Sequence, residues 1–153
     1  MLGAGNVLMG DDGVGVAALE ALREAGIPDR FPGVHLVEAG TAAFDAVALL
    51  DDAVTRLIVI DAVRGGGPPG AVYRFTLDAV TEPADPQRAS LHQVTLIEAL
   101  RMAELTGRRF DEIVVIAVEP DETSWGAGLS EAVRDRIPDI VTLVGKEIGR
   151  LSR

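Results

Sequence analysis

Chemistry in this 153-residue chain has to come from oxygen and imidazole, because there is no cysteine and only two histidines stand beside 24 acidic side chains. The acids that attract attention are Asp11 and Asp12, behind a glycine-rich opening, and Asp61, at the end of the aliphatic run LIVI. A carboxylate that follows such a run is costly to bury unless something pairs with it. Asp11 and Asp12 have a plainer reading, since either could cap a helix beginning at Gly13 by accepting first-turn amides. Thr41 reads as a cap of the next helix rather than a catalytic hydroxyl. His92 falls between Ser90 and Gln93, which have capping-box spacing, and so belongs in the first turn of a helix. The positive end of the helix dipole disfavours imidazolium there, leaving a neutral ring able to ligate a metal or bond a nearby carbonyl. His35 lies inside an expected strand, away from the other candidates, and reads as structural or surface.

Several familiar motifs are absent. Gly3 and Gly5 are followed by Gly10, so the dinucleotide fingerprint is not met. Residues 5–10 have the glycine spacing of a phosphate loop, but Asp11 and Asp12 stand where that loop needs Lys and Ser/Thr. Neither HExxH nor GxSxG occurs. Two carboxylates and one imidazole remain, a set suited to a borderline divalent ion such as Ni²⁺ or Zn²⁺ with open coordination positions.

The elements that must position these groups alternate. Helical periodicity runs through residues 14–25, about 42–50, 90–105 (ended by Gly107) and 129–150, the last broken or kinked at Pro138. Strands are expected at 34–39, 56–63, 70–77 and 113–118, with 56–63 and 113–118 aliphatic enough to be buried on both faces. Residues 77–90, with Pro83 and Pro86, read as a long loop. This pattern predicts one domain over residues 1–153: an α/β, three-layer α/β/α sandwich with a twisted, mostly parallel central sheet. Only Met1 and Leu2 precede the glycine turn, so the first strand is expected to be truncated, or the true start to lie upstream. Ligands of such sheets bind beyond the carboxyl ends of the strands. That edge collects Asp11, Asp12, Gly40, Thr41, Asp61 and His92.

Composition narrows the partners. A net charge of −10 argues against nucleic acid, which needs clustered Lys and Arg, and against an anionic membrane surface. No run of about 18 apolar residues is present, so no membrane insertion is expected. The opening MLGAGNVLMGDD has neither a basic n-region nor an apolar h-region. A cytoplasmic setting is the expectation.

Five blocks, in order, resemble the hydrogenase maturation endopeptidases, which trim the C-terminal peptide from the large subunit of nickel–iron hydrogenases. They are GAGNVLMGDDGVGV (residues 3–16), EAGTAA (38–43), LIVIDAV (57–63), SLHQV (90–94) and EPDETSWGAGLS (119–130). The resemblance implies the same three-layer fold and an aspartic-type endopeptidase. It places metal-contacting and catalytic roles on Asp12, Asp61 and His92, with Asp12 one methylene shorter than the Glu common in relatives. The implied metal is nickel, supplied by the precursor large subunit, with zinc or cadmium able to substitute in vitro. In that picture the three residues complete the coordination of an ion already loaded in the precursor, so that cleavage is conditional on loading. Either the ion or a carboxylate activates water. Two other classes fit the same residues: a non-catalytic, metal-sensing escort of the precursor, and a metal-dependent amidase or peptidase on another substrate. The acidic block 119–122 and Trp125 read as a rim loop, with a solvated connection and a packed Trp as the plain alternative.

Overall fold

The computed structural model describes residues 1–79 and 91–153, and of residues 91–95 the helical backbone only. The two aliphatic runs form the centre of the molecule. β3 (Arg56–Ala62) and β5 (Glu112–Val118) pair in parallel, from Arg56 opposite Glu112 to Ala62 opposite Val118. β1 (Leu2–Ala4) lies on the other side of β3, and β2 (Val37–Gly40) pairs in parallel outside β1. β4 (Val72–Thr76) is the opposite edge and runs antiparallel to β5. The order β2-β1-β3-β5-β4 is thus a mostly parallel sheet.

Helices cover both faces, as the all-apolar central strands require. Alternate residues of β3 divide between two cores. Leu57 and Val59 pack with α3 (Ala43–Ala48) and α4 (Leu91–Leu105). Ile58, Ile60 and Ala62 pack with α1 (Val14–Glu24), α2 (Ile27–Arg30), α5 (Glu131–Arg134) and α6 (Ile137–Leu151). On the edge strand, Arg74 chelates Glu147 of α6 through Nε and a terminal nitrogen, both at 3.1 Å. Arg150 joins Glu147 to Glu112 at the start of β5, so α6 is tied across β4 and β5.

Several sequence expectations change. The first strand is three residues long, with Leu2 opposite both Val37 and Val59, and Ala4 opposite Gly40 beyond a register shift. β2 starts at Val37, three residues later than expected, which leaves His35 exposed ahead of it. The helical stretch 129–150 is two helices, and the break falls at Asp135 and Arg136. Pro138 instead occupies the first turn of α6, where a missing N–H costs nothing. The expected helix 90–105 is seen as Leu91–Leu105, and Ser90 with its capping box lies outside the described residues. A short 3-10 turn, Leu77–Ala79, opens the expected long loop, whose remaining residues also lie outside.

How close α1 comes to the sheet depends on Gly15. A Cβ there would stand 2.3 Å from the Ala4 carbonyl oxygen and 2.5 Å from that of Ile60, both backbone atoms with nowhere to go. Gly15→Ala should therefore destabilise by about 1–3 kcal/mol or more through overpacking. Gly149→Ala, at a helical position with open space around it, should be neutral or stabilising by up to about 1 kcal/mol. Urea unfolding midpoints of the two variants check the contrast.

Candidate functional site

Strand order reverses between β1 and β3, since the chain leaves β1 for β2 on one side and returns to β3 on the other. In open α/β sheets such a switch point opens a crevice at the carboxyl ends of the strands. The 5–13 loop after β1 and the end of β3 meet there.

The loop is wound tightly. Gly5 has φ +109°, and a Cβ on it would lie 1.7 Å from the Asp12 carbonyl oxygen, so no other residue fits. The Gly5 N–H donates to the Gly40 carbonyl at 2.9 Å, joining the ends of β1 and β2. A 3-10 turn, Gly10–Gly13, then leads into α1. Asp11 and Asp12 both sit in this turn, and neither caps α1; its N-cap is Gly13, with no side-chain cap. The capping reading is thereby corrected. The Asn6 N–H donates to Asp12 Oδ2 at 2.7 Å, which bends the loop back over its own start. Asp11 turns the other way. Its Oδ2 accepts from the N–H groups of Asp121 (2.8 Å) and Glu122 (3.1 Å) and from Ser130 Oγ (2.8 Å), and its Oδ1 from the Ser130 N–H (2.7 Å). Burial opposes a charge on Asp11, but the bonds from Ser130, Glu122 and Asp121 outweigh it and hold its carboxyl below the usual range.

Asp61 is the penultimate residue of β3 and is only 3% exposed. By strand alternation it shares the face of Leu57 and Val59, under α3 and α4. The adjacent Ala62 N–H donates to its Oδ1 at 2.8 Å. Burial pushes its pKa up to about 8; the Ala62 N–H opposes this, and the negative charge of nearby Asp12 adds to it. The structure therefore brings Asp12 and Asp61 together.

His92 falls in the first turn of α4. β5 begins at the amino edge of the sheet a short connection after α4 ends, so α4 runs toward that edge and its first turn is the end farther from it. The His92 side chain itself lies outside the described residues. Among the described residues, no group of three acids, histidines or cysteines is placed to hold a metal ion. Thr41 caps nothing, since α3 has Ala42 at its N-cap without a side-chain bond. His35 is exposed at the far, amino edge of β2.

Glu119, expected in a rim loop or a solvated connection, instead stands in the wall of the crevice. It is buried. Its Oε2 accepts from the Gly65 N–H at 2.7 Å, the Gly67 N–H at 3.3 Å and the Tyr73 O–H at 2.9 Å, pinning the loop that follows Asp61. The bond to Glu119 pushes the Tyr73 phenol above its usual pKa. The signal that flagged Asp61 was available here too: Glu119 follows IVVIAV as Asp61 follows LIVI. Trp125, by contrast, is 77% exposed and not packed.

An α/β domain with two carboxylates at its switch point defines a protein that works on something brought to the carboxyl edge of the sheet. Residues 16–147 match the hydrogenase maturation protease family (HycI). The chain is 36% identical over 145 residues to the hydrogenase expression/formation protein HupD of Bradyrhizobium diazoefficiens, covering 94% of this chain and 73% of that one. It is 33% identical over 144 residues to HoxM of Cupriavidus necator, covering 92% and 68%. Among solved structures, the [NiFe] hydrogenase maturation protease HybD from Thermococcus kodakarensis superposes with a TM-score of 0.78 at 27% identity, covering 96% of each chain. The maturating endopeptidase HybD from E. coli, at 24% identity and a TM-score of 0.76 over 94% of this chain and 86% of that one, shares the fold. The chain belongs to the hydrogenase maturation protease family and is a hydrolase of the endopeptidase class.

The raised pKa of Asp61 has a thermodynamic consequence of definite sign. Between the unfolded carboxyl value near 3.8 and the folded value of about 8, folding takes up a proton. This contribution to stability is fully present below the lower value and is lost as pH rises through the upper one. Thermal unfolding of the metal-free protein should show Asp61→Asn raising the midpoint more at pH 8 than at pH 5. An equal change at both pH values would contradict the assigned shift.

Proposed function

We propose that the protein removes the C-terminal peptide from the nickel-loaded precursor of a nickel–iron hydrogenase large subunit, using Asp12, Asp61 and His92 to engage the bound metal. The supporting observation is the meeting of Asp12 with buried Asp61 at the switch point, beneath the helix whose first turn contains His92. Oxygen and imidazole donors suit a borderline divalent ion. The nickel is the precursor's cargo, and the protease residues fill positions its ligands leave open. The peptide next to the ion is then held against the carboxyl edge, where positioning alone lowers the barrier. A cytoplasmic setting belongs to the same reading.

The proton on Asp61 favours a second route to the same cleavage. Asp12 would take a proton from the attacking water while Asp61 gives its own to the departing amine, a division of labour open to paired carboxylates in unequal environments. The metal then serves only to position the peptide.

Mixing the purified protein with the nickel-loaded precursor should release the C-terminal peptide, detectable by mass spectrometry. Asp61→Ala and His92→Ala should each lower the rate by at least about 10²-fold. Undiminished cleavage by the double variant would refute the assigned site. Release from metal-free precursor at the same rate would refute recognition of the loaded ion. A stable but uncut complex would identify an escort, and cleavage of short generic peptides with added Zn²⁺ or Ni²⁺ a broader peptidase.

A further inference from the structure

The 119–130 loop is fastened to the 5–13 loop by more than Asp11. Met9 and Gly126 form an isolated parallel bridge, in which the Gly10 N–H donates to the Gly126 carbonyl and the Gly126 N–H to the Leu8 carbonyl, both at 2.9 Å. Leu8 and Trp125 immediately precede the two bridged residues and are 50% and 77% exposed, and Val7, next in the same turn, is 48% exposed. The backbone hydrogen bonds that join the two loops hold these three residues at one rim. An exposed tryptophan beside two exposed aliphatic residues is the composition of an interface rather than of ordinary surface.

The charge around the ridge narrows its occupant. Asp121 and Glu122 precede Trp125 and are exposed, and the Ser124 hydroxyl, next to the indole, donates to Glu122 Oε1 at 2.5 Å. The cation described at this rim is Arg64, which donates to Thr123 Oγ1 at 3.0 Å. An indole with carboxylates at its margin receives a guanidinium or ammonium as well as an apolar side chain. The ridge is also continuous with the catalytic edge, because Val7, Leu8 and Asp12 belong to one loop whose Asn6 N–H holds Asp12.

We propose that Val7, Leu8 and Trp125 form a docking ridge for the precursor large subunit, receiving a surface segment in which an apolar side chain adjoins a Lys or Arg. This rests on the protease reading for the identity of the occupant. Trp125 is the anchor, and Asp121 and Glu122 steer the cation.

Two measurements with the nickel-loaded precursor test it: processing kinetics of the active protein, and calorimetric binding to an Asp61→Ala background that does not turn over. Trp125→Ala should raise KM and Kd about tenfold or more with kcat unchanged, as loss of an interface anchor does. Trp125→Phe should recover most of the affinity, and thermal unfolding should not move. Glu122→Gln should weaken binding at low salt only. Normal KM and Kd for Trp125→Ala would overturn the ridge while leaving the protease reading intact. Binding that depends on Trp125 without any cleavage would leave the ridge and refute the protease. Absence of both binding and cleavage would refute both. A wild-type dimer in sedimentation that Trp125→Ala dissociates would show that the ridge pairs two copies of this chain instead.

Discussion

The site depends on how tightly the chain turns after β1. Gly5 passes so close to the backbone of Asp12 that a single methyl would not fit, and Gly15 lets α1 follow directly onto β1 and β3. Between them the Gly10–Gly13 turn is 3-10, in which successive side chains diverge by about a third of a revolution. Two adjacent aspartates are thereby aimed at different parts of the molecule. Asp12 stays with its own loop and Asp61, and Asp11 reaches across to residues more than a hundred positions away.

The buried carboxylates illustrate two solutions to the cost of burying charge. Asp11 and Glu119 are surrounded by donors: four bonds reach the first and three the second. Most of these donors belong to loops, so satisfying the carboxylates also anchors the loops. Asp61 accepts from the adjacent Ala62 N–H and has a like charge close by, and burial pushes its pKa up. The first pair builds the walls of the crevice. Asp61, with its burial less fully offset, is the carboxyl pushed toward its neutral form.

Much of this was legible from residues alone. LIVI before Asp61 and IVVIAV before Glu119 marked the two buried strands, and their ends marked the carboxyl edge where Asp12 and Asp61 meet, because all-apolar strands occur in sheets covered on both faces. The direction of β4 could not be read, since half-exposed alternation looks the same in either orientation. The bounds of β2 slipped because Val34 and Leu36 are apolar but pack ahead of the strand. Which of Asp11 and Asp12 does which job was illegible for a deeper reason. Their identity is the same, and what separates them is a contact with Ser130, Asp121 and Glu122 that no local pattern encodes. Trp125 was equally ambiguous, because a tryptophan among glycines can pack or project, and here it projects.

The proton on Asp61 bears on how a protease could inspect a metal without capturing it. Burial pushes the Asp61 pKa up to about 8, which favours the protonated carboxyl at pH 7. A cation engaging Asp61 has to displace that proton, which weakens its binding. The absence of thiolate donors points the same way, since the chain has no cysteine to hold a soft ion firmly. Under the proposed reading these features serve one end. A site that binds free metal poorly gains from an ion already held in the right place by a partner's ligands, because the entropic cost of bringing ion and peptide together has then been met elsewhere. Discrimination between loaded and unloaded precursor follows from that difference, and it requires only that the crevice be stiff. The hydrogen bonds that Asp11 and Glu119 accept tie the loops around the crevice to one another.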